Sequence, residues 1–186
     1  MEADIVLAMK RYVAFLRGMN LGKRRIRNEE LRAEFEALGF EDISTFRASG
    51  NVIFAAQKQS ESALAETIEG GLGEALGYPV PVFLRSCAEV AAIAAQEPFD
   101  AEAVAASKGK LQVTMLAREP AAAARKRVLS LASDEDRLAI VGRELFWLPS
   151  GGTIDSTLDL KAIEQTLGKG TQRTMGTIEQ IAAKYC

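Results

Sequence analysis

The sequence predicts an α+β protein made of two tandem βαββαβ subdomains with antiparallel sheets, the second incomplete or elaborated. The first observation is that short apolar strand-like runs and two amphipathic helices alternate in that order over residues 9–86. The second is that residues 110–186 repeat most of the order. The third is the composition: 48% hydrophobic and 26% charged residues in a chain of 186 suit a globular protein with a substantial core.

The first strand and helix have clear signals. Residues 11–17, RYVAFLR, combine β-branched, aromatic and aliphatic side chains and predict a strand. Asn28 is the expected N-cap of a helix whose apolar residues recur every three or four positions. Gly39 follows as the residue expected to end that helix.

The rest of the first subdomain follows in order. DISTFR and NVIFAA predict two short strands joined by a turn at residues 48–50, where Ser and Gly stand together. A helix over about residues 61–76 and a strand over residues 80–85 come next, with Pro81 favouring a strand beginning or an edge. This order is that of the ferredoxin-like fold.

The second half shows the same order but no evident closing strand. Its predicted elements are a bridging helix at 87–95, a strand at 110–117, a helix with Pro120 at its first position, a hairpin turning at Gly142 and Arg143, and helices at 157–167 and 175–185. Because residue-level similarity between the halves is slight, the predicted duplication rests on element order alone. The expected organisation is an extension at residues 1–8, subdomain 1 at 9–86, a bridge at 87–109 and subdomain 2 at 110–186.

Composition excludes several functions. The net charge of −2 and pI of about 5.4 argue against a protein that coats DNA, although a local basic patch is compatible with them. No apolar run reaches the roughly 18 residues of a membrane span, and the acidic start is not that of a signal peptide. We therefore expect a cytoplasmic protein with no membrane partner.

Residue types narrow the chemistry further. The chain has no histidine, which excludes Ser-His-Asp triads and Cys-His dyads and removes the commonest metal ligand. Cys87 and Cys186 are its two cysteines and lie far apart in the sequence. We expect no metal, no cofactor and no structural disulfide.

The loop after the first strand is the main candidate for a functional site. It spans about ten residues, from Gly18 to Arg27, whereas a connection that only packs needs about two to six. Residues 10–32 carry eight Lys or Arg against two Glu. An arginine fork, flexible glycines and a helix N-terminus together suit a phosphate or carboxylate. The candidate ligand-binding residues are Arg17, Gly18, Asn20, Gly22, Lys23 and Arg24; the alternative is a solvated basic loop.

The predicted hairpin is the second candidate. Ser49 and Asn51 lie at its turn, where Asn51 either binds a ligand or caps the turn, as Asn often does. We expect this turn and the basic loop to leave opposite ends of the sheet, so Arg17 and Asn51 meet only if the long loop folds back.

Three functions are compatible with these features. The leading one is a binding module for an anionic ligand, either a phosphate-bearing small molecule such as a nucleotide or a nucleic acid. The alternatives are a metal-independent hydrolase of phosphate esters or anhydrides using Arg17 and an Asn, and a protein-interaction domain that could include a homodimer. Catalytic residues are not assigned. The third strand, NVIF, lacks the Lys/Arg-Gly-aromatic pattern of RNA-recognition modules.

Several short motifs resemble the bacterial family called domain of unknown function 1697. They are AFLRGMNLG at residues 14–22, LGF at 38–40 and SGNVIF at 49–54. The resemblance covers nearly the whole chain and implies an α+β fold with ferredoxin-like subdomains, without an established reaction. It also implies Met9 as the natural start. The family's Thr-Thr-Arg-Asn-Trp segment corresponds to TQRTM at 171–175, which keeps Arg173 as a candidate site residue but lacks the Asn and Trp.

Overall fold

The computed structural model describes residues 8–19, 25–48 and 50–186. The chain divides into two compact units. The first runs up to Val90 and includes Tyr185 and Cys186, and the second is Ala91–Lys184.

The first unit has the predicted βαββαβ order. Its elements are β1 (Met9–Leu16), α1 (Asn28–Ala37), β2 (Glu41–Thr45), β3 (Asn51–Gln57), α2 (Glu61–Leu76) and β4 (Val82–Ser86), with α3 (Cys87–Ala94) following directly. The four strands form an antiparallel sheet in the order β2-β3-β1-β4. Pro81 lies just before β4, an edge strand, where its missing N–H removes nothing from the sheet.

Aromatic packing anchors the core between this sheet and its helices. The ring of Phe54 on β3 lies 5.8 Å from Tyr12, 5.4 Å from Phe35 and 4.6 Å from Phe40, measured between ring centroids. Such pairs contribute about 0.5–1.5 kcal/mol each beyond the apolar area they bury. These contacts pack α1 and the chain segment after it against β3, in the middle of the sheet.

Helix α1 begins one residue earlier than predicted. Arg27, with extended backbone, is the N-cap, and Asn28 is the first helical residue. The Glu30 carboxylate accepts a 2.8 Å hydrogen bond from the Arg27 backbone N–H, and this contact stabilises the helix start without a capping Asn side chain. The predicted end is confirmed, since Gly39 follows the helix with a φ of +82°.

The second unit is a complete repeat of the first. Its elements are α4 (Ala101–Ala106), β5 (Gln112–Leu116), α5 (Ala122–Leu129), β6 (Asp136–Val141), β7 (Glu144–Pro149), α6 (Leu160–Leu167), β8 (Gly170–Thr174) and α7 (Met175–Tyr185). The strand order β6-β7-β5-β8 is the same as in the first sheet. The α+β fold with tandem ferredoxin-like subdomains is therefore confirmed.

Two sequence predictions for this unit were wrong. A closing strand exists: β8 pairs with β5 along its whole length although GTQRT carries no aliphatic or aromatic side chain. Helix α5 begins at Ala122 with Ala121 as its N-cap, so Pro120 lies outside the helix.

The strand register shows that the two repeats have a valine and an arginine at equivalent positions, which the sequence similarity alone does not indicate. Val13 of β1 is opposite Arg85 of β4, and Val113 of β5 is opposite Arg173 of β8. In each repeat the arginine is followed by a hydroxyl residue and then at once by a helix. The duplication thus extends from the element order to individual residue positions.

The absence of a structural disulfide was also a wrong prediction. Cys87 and Cys186 are bonded, with their Cα atoms 4.9 Å apart. A separation of 99 residues gives no local signal, because only the fold brings the last residue beside the start of α3. Among the residues that the structure describes, no helix has the length and apolar character needed to cross a membrane.

Candidate anion-binding site

The basic loop and the hairpin turn leave the same end of the first sheet. Phe15, near the end of β1, is opposite Asn51, the first residue of β3. The backbone N–H of Leu16 donates a 2.8 Å hydrogen bond to the carbonyl of Gly50. The expectation of opposite ends was therefore wrong. In this topology β2 runs parallel to β1, so the turn after β2 lies beside the end of β1.

Arg17 is held at this end by its backbone. Its N–H donates a 3.0 Å hydrogen bond to the carbonyl of Pro81, in the segment leading to β4. Its side chain is half-buried, which limits the directions in which the guanidinium can point. Gly18 follows with a φ of +77°, a conformation that side-chain-bearing residues rarely adopt, and it turns the chain away from the strand.

Asn51 closes the β2–β3 turn, of which residues 46–48 and 50 are described. The residue is fully buried, and its Nδ2 donates a 2.9 Å hydrogen bond to the carbonyl of Phe46. The Phe46 N–H in turn donates to the Asn51 carbonyl at 3.0 Å. Because this carboxamide N–H holds the turn, Asn51 gives no support to a hydrolase in which it would orient water.

Arg47 is a candidate site residue that the sequence prediction did not include. It was assigned to a strand, but β2 ends at Thr45 and Arg47 lies in the turn with a φ of +57°. This conformation costs a non-glycine residue about 1–2 kcal/mol, and such strain is concentrated at functional sites. The exposed guanidinium stacks over the Phe46 ring at 5.4 Å from its centroid. The sequence signal would have been a cation directly before a Ser-Gly turn.

Two more exposed cations precede α1. Arg25 and Arg27 lie in the segment that enters the helix, whose N-terminal dipole also favours an anion. Glu29 and Glu30 in the first turn partly offset that positive potential.

Five of the predicted residues cannot be placed. Asn20, Gly22, Lys23, Arg24 and Ser49 lie outside the described residues.

Arg173 belongs to the second unit, whereas Arg17 and Asn51 belong to the first. Its Nη1 donates to the Thr171 hydroxyl at 2.9 Å and to the Gln172 carbonyl at 2.8 Å. Burial lowers the pKa of Arg173 to about 10, because desolvation disfavours the cation. The side chain therefore remains cationic at neutral pH. In the described parts of the chain, no group of three or more carboxylate or thiol side chains is arranged to hold a metal ion.

The fold and this site define a class: an α+β protein of two tandem ferredoxin-like repeats with a basic end on the first sheet. The chain belongs to the family described as protein of unknown function (DUF1697), whose model matches residues 9–146. The resemblance seen in the motifs is thereby confirmed, and Arg173 lies beyond the matched range.

A solved structure supports the same fold. The conserved bacterial protein SP0830 from Streptococcus pneumoniae is 23% identical in sequence and superposes with a TM-score of 0.74. The alignment covers 95% of this chain and 98% of that one. No curated protein matches the chain.

Proposed function

We propose that this protein binds an anionic, phosphate-bearing ligand at the basic end of its first sheet, where Arg17 and Arg47 would provide the charge. The observation that carries the proposal is the hydrogen bond between Leu16 and Gly50, which joins the segments bearing the two arginines. Two chain segments with separate cations are held side by side there, which a single solvated loop would not require.

The chemistry of the two arginines suits a phosphate. A guanidinium offers parallel N–H donors that match two phosphate oxygens, and it stays charged at every physiological pH. The half-burial of Arg17 reduces the entropy lost when a ligand orders the side chain. The strained backbone of Arg47 is a cost that a binding role would account for.

Because the overall charge is −2, electrostatic attraction of an anionic ligand would be confined to the region around the arginines. A ligand would be attracted by the basic end and not by the molecule as a whole, so affinity should weaken as salt screens the site. For an oligonucleotide the logarithm of the association constant falls steeply with the logarithm of salt concentration, in proportion to the phosphates contacted. A small phosphate compound shows a shallow dependence.

Calorimetric titration with pyrophosphate, ATP and a short single-stranded RNA, at low and moderate salt, tests the proposal. Arg17→Met keeps an apolar stem without the charge, and Arg47→Asn removes the charge while tolerating a positive φ. Arg137→Met, an exposed position on β6, is the matched control.

We expect each site variant to weaken binding about tenfold, the size of one lost charge-assisted hydrogen bond, and the control to leave it unchanged. Equal binding by the wild type and an Arg17→Met/Arg47→Asn double variant would overturn the proposal. Absence of binding to all three probes, with self-association of the chain, would favour the protein-interaction alternative.

A further inference from the structure

We infer that the Cys87–Cys186 disulfide is a redox-sensitive latch, which holds the C-terminal residues Tyr185 and Cys186 against the β2–β3 turn and releases them on reduction. The inference concerns a different feature from the proposed anion site. Its link to ligand binding, through Arg47, rests on the proposed function.

The disulfide places an aromatic side chain against the turn. Tyr185, directly before Cys186, meets the ring of Phe46 edge-on, with the ring centroids 6.2 Å apart. The Tyr185 carbonyl accepts a 3.1 Å hydrogen bond from Nη1 of Arg11 on β1. The last two residues of the chain are therefore docked on the first unit by a covalent bond together with noncovalent contacts.

Chain termini fray unless something holds them. The covalent bond keeps Tyr185 at a high effective concentration beside Phe46, so the ring contact persists. Once the bond is reduced, Tyr185 keeps its place at the end of α7, its ring contact and the Arg11 hydrogen bond, but no covalent link to the first unit holds it beside Phe46. Reduction should therefore increase the population in which Tyr185 has left the turn.

The latch is connected to the strained residue of the turn. Phe46 contacts Tyr185 with its ring, contacts the Arg47 guanidinium with the same ring, and pairs with Asn51 through its backbone. Departure of Tyr185 removes one support of the ring against which Arg47 is stacked. The backbone of Arg47, held at a φ of +57°, is then less constrained.

The bond is accessible to a reductant. Cys186 is exposed and Cys87 is half-buried at the first position of α3, where the helix dipole favours a thiolate leaving group. A thiolate of a small dithiol attacks the Cys186 sulfur and displaces the Cys87 thiolate, giving a mixed disulfide. The second thiol of the reductant then displaces Cys186. The protein gains two electrons and two protons, and the dithiol becomes a cyclic disulfide.

Hydrogen exchange of the intact chain tests the latch. Wild type would be compared with and without dithiothreitol, beside Cys186→Ser and Tyr185→Ala. The signal is exchange at residues 46–48, 50 and 51, and the matched control is the β6–β7 hairpin around Gly142 in the second unit.

We expect dithiothreitol to speed exchange in the β2–β3 turn several-fold and to leave the control hairpin unchanged. Cys186→Ser should show the fast exchange in either buffer. Tyr185→Ala should show it with the disulfide intact, which separates the ring contact from a general loss of stability. Turn exchange that is the same in both redox states, or a disulfide that dithiothreitol reduces only after the protein unfolds, would overturn the inference.

Titration with pyrophosphate in the two redox states separates the two proposals. A turn that loosens on reduction, in a protein that binds pyrophosphate in neither state, would uphold the latch and reject the anion site. Binding of pyrophosphate, together with hydrogen exchange in the β2–β3 turn that is the same before and after reduction, would support the anion site and reject the latch.

Discussion

Asn51 is polar yet fully buried, and its Nδ2 supports the Phe46 carbonyl at 2.9 Å. In Asn51→Ala that carbonyl loses this hydrogen bond and a fully buried side chain is truncated, so we expect a loss of about 1–3 kcal/mol in the free energy of unfolding. Chemical denaturation monitored by circular dichroism would measure it. Gln57→Ala, at the exposed end of the same strand, should stay within about 0.5 kcal/mol of wild type. Equal effects at both positions would contradict the turn-closing role.

Gly50 combines a left-handed backbone with a crowded site. Its φ is +71°, and an added Cβ would lie 3.1 Å from both the Leu16 Cβ and the Met19 Cγ. Gly39 has a similar φ of +82° but open space around the position of a Cβ. Gly39→Ala should therefore lower the free energy of unfolding only by the cost of a left-handed backbone in a residue with a side chain, about 1–2 kcal/mol.

Gly50→Ala should cost that amount and about 1–3 kcal/mol more, because the packed neighbours must move. Thermal and denaturant unfolding of the two variants would give the difference directly. If the two substitutions were equally destabilising, the close approach between the turn and β1 would be refuted.

The positions of candidate site residues were predictable where the sequence pattern alone determines the local structure. Arg17 and Gly18 follow an apolar strand, and their place at its exit could be inferred from that strand alone. For Arg47 the one signal, a cation directly before a Ser-Gly turn, was outweighed by the β-forming residues before it, which favoured a longer strand. The pairing of β2 with β3 ends that strand at Thr45. Backbone strain of this kind is a tertiary property.

At the level of elements, burial of apolar stripes made most of the fold predictable. Helix α2 begins and ends as expected, and the β6–β7 hairpin turns at Gly142 as expected. Strand β8 was missed because its residues carry no alternating apolar pattern, and its conformation comes from the hydrogen bonds to β5. Where pairing rather than burial stabilises an element, periodicity gives no signal.

The helix that follows β4 offers an element-scale prediction. Ser86 is buried, its hydroxyl donates to the Glu89 carboxylate at 2.8 Å, and it accepts from the Glu89 N–H at 3.3 Å. Ser86→Ala should lower the free energy of unfolding by about 1–2 kcal/mol. Ser60, the exposed N-cap of α2, accepts from the Ala63 N–H at 3.2 Å and shares a 3.2 Å hydrogen bond with the Ser62 hydroxyl. Because this cap is exposed to water, Ser60→Ala should cost about 0.5–1 kcal/mol.

Ser86→Thr is the informative second variant, since Thr174 occupies the corresponding position in the other repeat and accepts from the Thr177 N–H at 3.3 Å. Retention of wild-type stability in Ser86→Thr, measured by denaturant unfolding, would support the equivalence of the two repeats. A loss as large as that of Ser86→Ala would show that the two positions are not interchangeable.

At the scale of the whole molecule, neither the disulfide nor the position of the last two residues could be predicted from the sequence. Two cysteines separated by 99 residues gave no local reason to pair them. Their pairing follows from the docking of Tyr185 and Cys186 on the first unit, which is a result of the complete fold.

The cross-link makes a prediction about the stability of the oxidised protein. In the chain-entropy account, closing a loop of about 100 residues stabilises the folded state by up to about 4.7 kcal/mol. Cys87→Ser and Cys186→Ser each remove the same bond, so each should lower the unfolding midpoint in nonreducing buffer. The double variant should lower it no further than either single one. In dithiothreitol all four proteins should unfold at nearly the same midpoint, because wild type then lacks the bond too. Additive losses in the double variant, or a difference that survives the reductant, would show that the cysteines act through packing and not through the bond between them.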